Sequence, residues 1–195
     1  MTTSPLKLPV ISTSLDPQSR SRRLADLAAQ QFRQLGHHSE LIDLSELKLG
    51  FFDNHEIFTS QQYQTLHEVV SSADAIAIAA PVYNWSLGAS AKNFIEATGA
   101  TDSDRKAAWF DKVVTFLCAG GLPHSYMAFT ELAASMMLDF KCVINPYMVY
   151  TTERDWQESG DLTPERAARL AKTSVVHAEL AERLSSRSYS SDWEI

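Results

Sequence analysis

Three groups of residues, far apart in the chain, have the types and spacing that would hold a phosphorylated ligand with a flat ring. The first is Ser12-Thr13-Ser14-Leu15-Asp16-Pro17-Gln18-Ser19-Arg20-Ser21, directly ahead of a helical pattern. Hydroxyls and free amide N–H groups at a helix N-terminus form a phosphate cradle. The helix dipole adds about 0.3–1 kcal/mol for a charged ligand there. Arg20, Arg22 and Arg23 offer charge-assisted bonds, although the three cannot all face inward. The alternative is that Ser19 is an ordinary N-cap and the other serines solvate a loop. The second group is Pro81-Val82-Tyr83-Asn84-Trp85. Tyr83 and Trp85 present ring faces, and Asn84 carries an amide suited to a ring edge; as single rim aromatics the two rings need no explanation. The third is Ala119-Gly120-Gly121, where two glycines let the backbone approach a flat ring without a Cβ in the way. A plain Gly-Gly-x-Pro turn is the alternative. His124 and Ser125 follow, and whether they face a pocket or start a helix stays open at this level.

These groups need elements to bring them together. Residues 75–80, Ala-Ile-Ala-Ile-Ala-Ala, form a short uncharged run of the kind that buries both faces as an inner parallel strand. Pro81 is expected to end that strand, because it cannot donate to a ladder. Residues 81–85 then fall at a strand's carboxyl end, where open α/β sheets keep their ligands. Gly88 permits a close turn, and Ala91, Phe94, Ile95 and Thr98 share one face of the helix behind it, which runs to about Gly99.

Taken in order, residues 6–13 read as a first strand. Residues 19–35 read as a helix with Leu24, Leu27, Ala28, Phe32 and Leu35 on one stripe, ended by Gly36. A second strand is expected over 39–44, a loop bearing Phe51-Phe52 over 45–59, and a helix over 60–73. Residues 101–111 read as a loop with a short helical turn, and 113–119 as a buried strand. A helix follows, marked by Phe129, Leu132, Ala133, Met136 and Phe140. Residues 142–150 read as a strand interrupted by Pro146, which suits an edge. Thr163 and Pro164 open a last helix with Ala167, Leu170, Ala171, Ser174, Ala178 and Ala181 inward. The tail from about 186 is expected to fray, with Trp193 available to dock. Five β-α repeats without a composition break imply one domain over 1–195, a doubly wound five-stranded parallel sheet with helices on both faces.

Composition bounds the chemistry. At 195 residues, with 45% hydrophobic and 21% charged, the chain is long and apolar enough for one buried core, which excludes disorder. A net charge of −7 argues against nucleic acid and against an anionic membrane surface as partners. Cys118 and Cys142 read as buried thiols of a reducing compartment, and no CxxC or metal-ligand cluster appears. The amino-terminal residues lack the apolar core of a signal or anchor, and no run approaches a membrane span of about 18 residues, so a cytoplasmic location is expected. There is neither a G-x-x-x-x-G-K-[ST] loop nor a G-x-G-x-x-G turn, which excludes P-loop and dinucleotide-binding Rossmann sites.

The stretch Pro81-x-Tyr83-Asn84, then Gly88, then Lys92-Asn93 resembles the signature of the NAD(P)H-dependent FMN reductases, a family with a flavodoxin-like fold and the strand order 2-1-3-4-5. Ser14 and Ser19 match the family's Ser-x-x-x-x-Ser phosphate segment, and Ala119-Gly120-Gly121 matches its glycine turn. Asp16 departs from the pattern, standing where many members carry arginine; Arg20 is the residue placed to compensate. The resemblance implies FMN as cofactor, held by Ser14, Ser19, Arg20, Ser21, Pro81, Val82, Tyr83, Asn84, Trp85, Ala119, Gly120 and Gly121. It implies NADPH or NADH as reductant, hydride transfer to flavin N5, and a small-molecule electron acceptor. Lys92 and Asn93 are given a helix-placing role.

A flavin carries its own redox chemistry, so no catalytic side chain and no metal is expected. His37, His38, His55, His67 and His177 read as structural or solvated. The resemblance also implies a homodimer or homotetramer, with Trp109 and Phe110 offered as contact residues. Two alternatives remain. A flavodoxin-type electron carrier would bind FMN without NAD(P)H activity, although its usual T-x-T-G-x-T loop is absent. A flavin-free interaction protein could retain the fold. A response-regulator receiver is set aside, because Ala79-Ala80-Pro81 stands where it needs an aspartate.

Overall fold

Residues 76, 78 and 80 turn to one side of the sheet and residues 75, 77 and 79 to the other, and this period of two sorts the molecule into layers. A computed structural model describes residues 4–99 and 107–193. Its elements are β1 (Val10–Ser12), α1 (Arg20–Gln34), β2 (Leu41–Asp43), α2 (Leu44–Leu47), α3 (Gln61–Ser72), β3 (Ala75–Tyr83), β4 (Ser86–Leu87), α4 (Ala89–Gly99), β5 (Val113–Ala119), α5 (Thr130–Asp139), β6 (Val143–Ile144), β7 (Val149–Thr151) and α6 (Pro164–Ser185). Ile76, Ile78, Val114 and Phe116 pack with Leu66 and Val70 of α3, Phe94 and Ile95 of α4, and Met136 of α5. On the opposite face Val10, Ala77, Ala79 and Leu117 pack against Leu24, Ala28 and Phe32 of α1 and Leu170 and Ala178 of α6. Fully burying each larger apolar side chain contributes about 1.5–3 kcal/mol.

The strands run in the order β2-β1-β3-β5-β6, with β1, β2, β3, β5 and β6 parallel. This is the expected 2-1-3-4-5 order, with two additions. The expected fifth strand is split around Pro146 into β6 and β7, both parallel partners of β5 at the sheet edge. The other addition corrects the reading of Pro81. The strand does not stop there: Pro81 pairs with Ala119, and the chain continues to Tyr83 before turning back as β4. The reason lies in which neighbour the nitrogen faces. Ala77 donates to Pro9 O and Ala79 accepts from Thr13 N, so odd-numbered residues face β1. By Pro81, β1 has ended, and no ladder bond on that side needs a proline N–H.

Other expectations are corrected by local chemistry. Residues 45–59 are not all loop: Asp43 caps α2 by accepting from Ser45 N at 3.0 Å, and Asp53 accepts from the amides of His55, Glu56 and Ile57 to start a 3₁₀ turn. Trp109 is not a surface contact residue; it is wholly buried, edge-on to Phe94, with its indole N–H donated to Thr98 Oγ1 at 2.9 Å. A partner for that N–H is what allows the indole inside. Ala167 is exposed, but Leu170, Ser174, Ala178 and Ala181 are buried on the inner face of α6 as expected, joined by Thr173 and His177. Thr163 occupies the N-cap of α6, yet its side chain makes no capping bond. Leu35 lies at the end of α1 and is exposed. Of the loop expected at 101–111, residues 101–106 lie outside the described residues.

Among the described residues past Ser185 no regular element follows, but the tail expected to fray is anchored. Ser191 donates through its N–H and hydroxyl to Asp111, and Trp193 packs edge-on against Phe110 and Phe140. Both cysteines are buried, and burial pushes each thiol up to about 12, so neither is a thiolate near neutrality.

Candidate functional site

β1 ends at Ser12, and the chain then crosses the carboxyl edge of the sheet to reach α1. Thr13 fastens this crossing to β3, its N–H and hydroxyl both donating to Ala79 O at 2.9 and 3.0 Å. Ser90, in the first turn of α4, donates to Thr13 O. The loop beyond closes on itself. Asp16 N donates to Ser14 Oγ at 3.2 Å, Gln18 N to Asp16 Oδ1 at 2.9 Å, and Ser19 N to Asp16 O at 3.0 Å. Ser19 is the N-cap of α1: its Oγ accepts from Ser21 N and lies 2.8 Å from Ser21 Oγ. Among the described residues, the amides of Arg20 and Arg22 donate to no protein acceptor, as expected at a helix start. Ser12 Oγ, just ahead of the loop, is buried without a hydrogen-bond partner.

The second group forms a tight hairpin. Tyr83 pairs with Ser86, and the two residues between them, Asn84 and Trp85, hold φ at +49° and +66°. Positive φ at both central positions is the turn that matches strand twist. Asparagine tolerates it and tryptophan does so only under strain. The hairpin lifts Tyr83 and Trp85 into solvent, both more than half exposed. Trp85 lies over His124, which follows the glycine turn, so the second and third groups touch.

The third group divides. A Cβ on Gly121 would meet nothing within 4 Å, which leaves its face open to a ring. A Cβ on Gly120 would meet the Tyr150 hydroxyl at 2.4 Å, and that hydroxyl donates to Leu122 O. Gly120 therefore makes room for a tyrosine, and of the two glycines only Gly121 has an open face.

The sequence pattern left two lining regions unassigned. A cleft of about 560 Å³ opens between the first loop and the segment after β2, lined by Ser14, Asp16, Lys48, Phe51, Pro81 and Tyr83 among others. Asn93 fixes its far wall, accepting from Phe52 N at 2.8 Å and donating to Gly50 O at 2.9 Å. The Lys-Asn pair was the available signal: Asn93 places a loop, while Lys92, among the described residues, pairs with Glu96 on its own helix. A groove of about 590 Å³ lies on the other side of the glycine turn, between Pro123, Tyr126, Tyr150 and the arginines 154, 166 and 169. A third hollow, near Lys7, Arg33, His38 and Glu68, sits by the amino ends of β1 and β2, away from all three groups. Among the described residues no cluster of metal-ligating side chains occurs, and no helix is long and apolar enough to cross a membrane.

The donor set fits a mononucleotide phosphate at the first loop: unpartnered amides at a helix N-terminus, hydroxyls of Ser14, Ser19 and Ser21, and the Ser12 hydroxyl beneath. Asp16 opposes it electrostatically. Arg20, the expected compensation, is paired with Glu153 at 3.3 Å on the surface. Such an exposed pair is worth about 0–1 kcal/mol, so an anion competes for Arg20 at little cost. Arg22 and Arg23 are turned to Asp43 and to Asp26 and Asp161.

A parallel sheet in this order, with loops from β1, β3 and β5 meeting at its carboxyl end, defines a flavodoxin-like α/β protein with its topological switch point between β1 and β3. Residues 6–155 match the family model of the NADPH-dependent FMN reductases, and the chain belongs to that family. It is accordingly a flavin-dependent NAD(P)H oxidoreductase, with FMN as cofactor. The chain is similar to an NAD(P)H-dependent FAD/FMN reductase of Geobacillus thermodenitrificans, 26% identical over 142 residues, which are 71% of this chain and 74% of the relative. Its fold is similar to RosB, solved with bound 8-demethyl-8-formylriboflavin-5′-phosphate, at TM-score 0.76 and 17% identity over 94% of this chain and 82% of RosB. It is likewise similar to FerB, a flavoenzyme NAD(P)H:(acceptor) oxidoreductase of Paracoccus denitrificans, at TM-score 0.74 and 17% identity over 91% and 98% of the two chains.

Proposed function

We propose that the three loops hold one FMN, that NADPH or NADH reduces it there, and that a small oxidised molecule such as a flavin, quinone or azo compound is the final acceptor. The observation that carries this reading is the strained hairpin at Asn84 and Trp85, held against His124 beside an open Gly121. Strain of about 1–3 kcal/mol at an exposed tryptophan is typical of a functional position. FMN held by these loops would supply the redox chemistry, carrying two electrons and a proton from NAD(P)H to the acceptor.

The chain's own part is to bind and orient. Ser14, Ser19, Arg20 and Ser21 hold the phosphate, with the α1 amides donating to it. Pro81, Val82 and Tyr83 line one side of the ring, and Asn84 hydrogen-bonds its polar edge. Trp85 and the backbone of Ala119, Gly120 and Gly121 complete the seat, Gly120 by admitting Tyr150 beneath. Fixed backbone donors of this kind stabilise developing charge without reorganising. We further infer a cytoplasmic protein acting as a homodimer or homotetramer; the exposed Met127, Met137 and Leu138 offer apolar surface for assembly.

Absorbance of the purified, FMN-supplemented protein tests the reading. Stoichiometric retained flavin that bleaches on anaerobic addition of NADPH or NADH is the expected result. Retained flavin that stays yellow would point to an electron carrier, and no uptake of FMN would overturn the proposal.

A further inference from the structure

The groove beyond the glycine turn has a composition that the FMN site does not use. It begins at Pro123 and Tyr150, the residue whose hydroxyl lies against Gly120, and runs outward to three arginines. The chain as a whole carries −7, so this basic lining is a local feature. Two of the arginines are held in place. Arg166 donates to Asp155 at 2.6 Å, and Asp155 is in turn held by Thr152 N–H and hydroxyl. Burial alone would raise the Asp155 carboxyl, but the bonds from Thr152 and Arg166 outweigh it and keep it below the usual carboxylate range. Arg169 donates Nε to Met148 O at 3.1 Å, and its guanidinium sits 5.1 Å from the Tyr147 ring centre. Its terminal nitrogens have no protein acceptor among the described residues. Arg154 is exposed and likewise unpaired among them. Glu165 and the already paired Asp155 are the only acids in the lining.

We propose that this groove seats the adenosine end of the pyridine nucleotide, with Arg154 and Arg169 gripping a 2′-phosphate, so that the protein prefers NADPH to NADH. The assignment rests on the reading above, that NAD(P)H reduces a flavin beside Gly121. A nicotinamide over that ring leaves the rest of the dinucleotide to cross the rim, and this groove starts at the rim. Its chemistry matches. A phosphate monoester dianion is met best by guanidinium forks, and Arg169 is already oriented, so little freedom is lost on binding. Tyr126, Tyr150 and Met148 give apolar surface for a purine.

The experiment uses FMN-supplemented protein and two soluble fragments that differ only in one phosphate, 2′,5′-ADP and 5′-AMP, titrated calorimetrically. The expected result is that 2′,5′-ADP binds roughly ten- to a hundredfold more tightly, the range of one or two charge-assisted hydrogen bonds. Arg154→Gln should move the ratio of the two dissociation constants toward one, and the KM ratio of NADPH to NADH should shift by a similar factor. Arg169→Gln is the second variant, with a melting curve to show that it folds. Equal binding of the two fragments, or a ratio that neither variant changes, overturns the assignment. If flavin bleaches with either nucleotide while the fragments bind equally, only this inference fails; if nothing bleaches, the reductase reading fails first.

Discussion

The indole of Trp85 lies over the imidazole of His124 with ring centres 6.0 Å apart and planes 21° from parallel, and it does so from a backbone φ of +66°. Two loops from different strands are thereby joined across the mouth of the site. The turn demands positive φ, and a bulky side chain meets that demand at a cost.

Replacing that side chain separates stability from binding. Trp85→Gly relieves the left-handed strain, while a more flexible unfolded chain offsets part of the gain. The expected outcome is a flavin-free melting point unchanged or raised, within about 1 kcal/mol. FMN affinity should fall about tenfold or more with the loss of a stacking surface. Thermal denaturation and a fluorescence titration of FMN check both halves; a destabilised variant with unaltered affinity would contradict the assignment.

Gly120 and Tyr150 should behave as a coupled pair. Gly120→Ala puts a methyl 2.4 Å from the Tyr150 hydroxyl and should cost about 1–3 kcal/mol by overpacking. In a Tyr150→Phe background the nearest atom is the ring carbon at 3.2 Å, so the same change should cost clearly less. A double-mutant cycle by urea denaturation measures the coupling, and additive effects would show that the clash is absorbed elsewhere.

Asp16 sets a charge against the phosphate cradle. Asp16→Asn retains the oxygen that accepts from Gln18 N and removes the charge. FMN should then bind about two- to fivefold more tightly, from the 0.3–1 kcal/mol typical of charges at a helix N-terminus. The difference should shrink in high salt. No change at low salt would place the phosphate away from this loop.

His177 predicts the acid limit of the fold. Its Nδ1 lies 2.8 Å from Thr115 Oγ1, its Nε2 is buried without a partner, and burial, with a smaller contribution from His37, lowers its pKa from 6.5 to about 3. Because the folded value is depressed, the unfolded chain takes up the proton first as pH falls. The contribution is complete above pH 6.5, declines by up to about 1.4 kcal/mol per unit below it, and levels off near pH 3. Denaturant midpoints between pH 7 and pH 4 should fall more steeply for the wild type than for His177→Gln; parallel slopes would show that the histidine is not buried neutral.

Much of the fold was legible because its signals are local. The apolar run at 75–80, the stripe through Leu24, Ala28 and Phe32, and Gly36 past the helix end each follow from period or turn chemistry, and each element stands where the pattern puts it. Pro81 misled because a proline ends a strand only if its missing N–H faces a neighbour, and where β1 stops is a property of the assembled sheet. Trp109 misled for the same reason, since Thr98, eleven residues away in sequence, supplies its hydrogen bond. In the site, the serine loop ahead of α1 could be read from residue types, but the hairpin at Asn84 and Trp85 could not, because the strand was expected to end at Pro81. The division of labour between Gly120 and Gly121 could not, because Tyr150 reaches in from another strand.

The break in the outermost strand has a consequence for life in a crowded cell. A long, regular rim of unpaired amides is a template on which another chain can add, the first step toward fibres. Here that rim is two short pieces of two and three residues, parted by a proline that has no amide hydrogen to offer. This edge of the sheet thus presents nothing continuous for a neighbour to zip onto, and on this side the sheet stops growing.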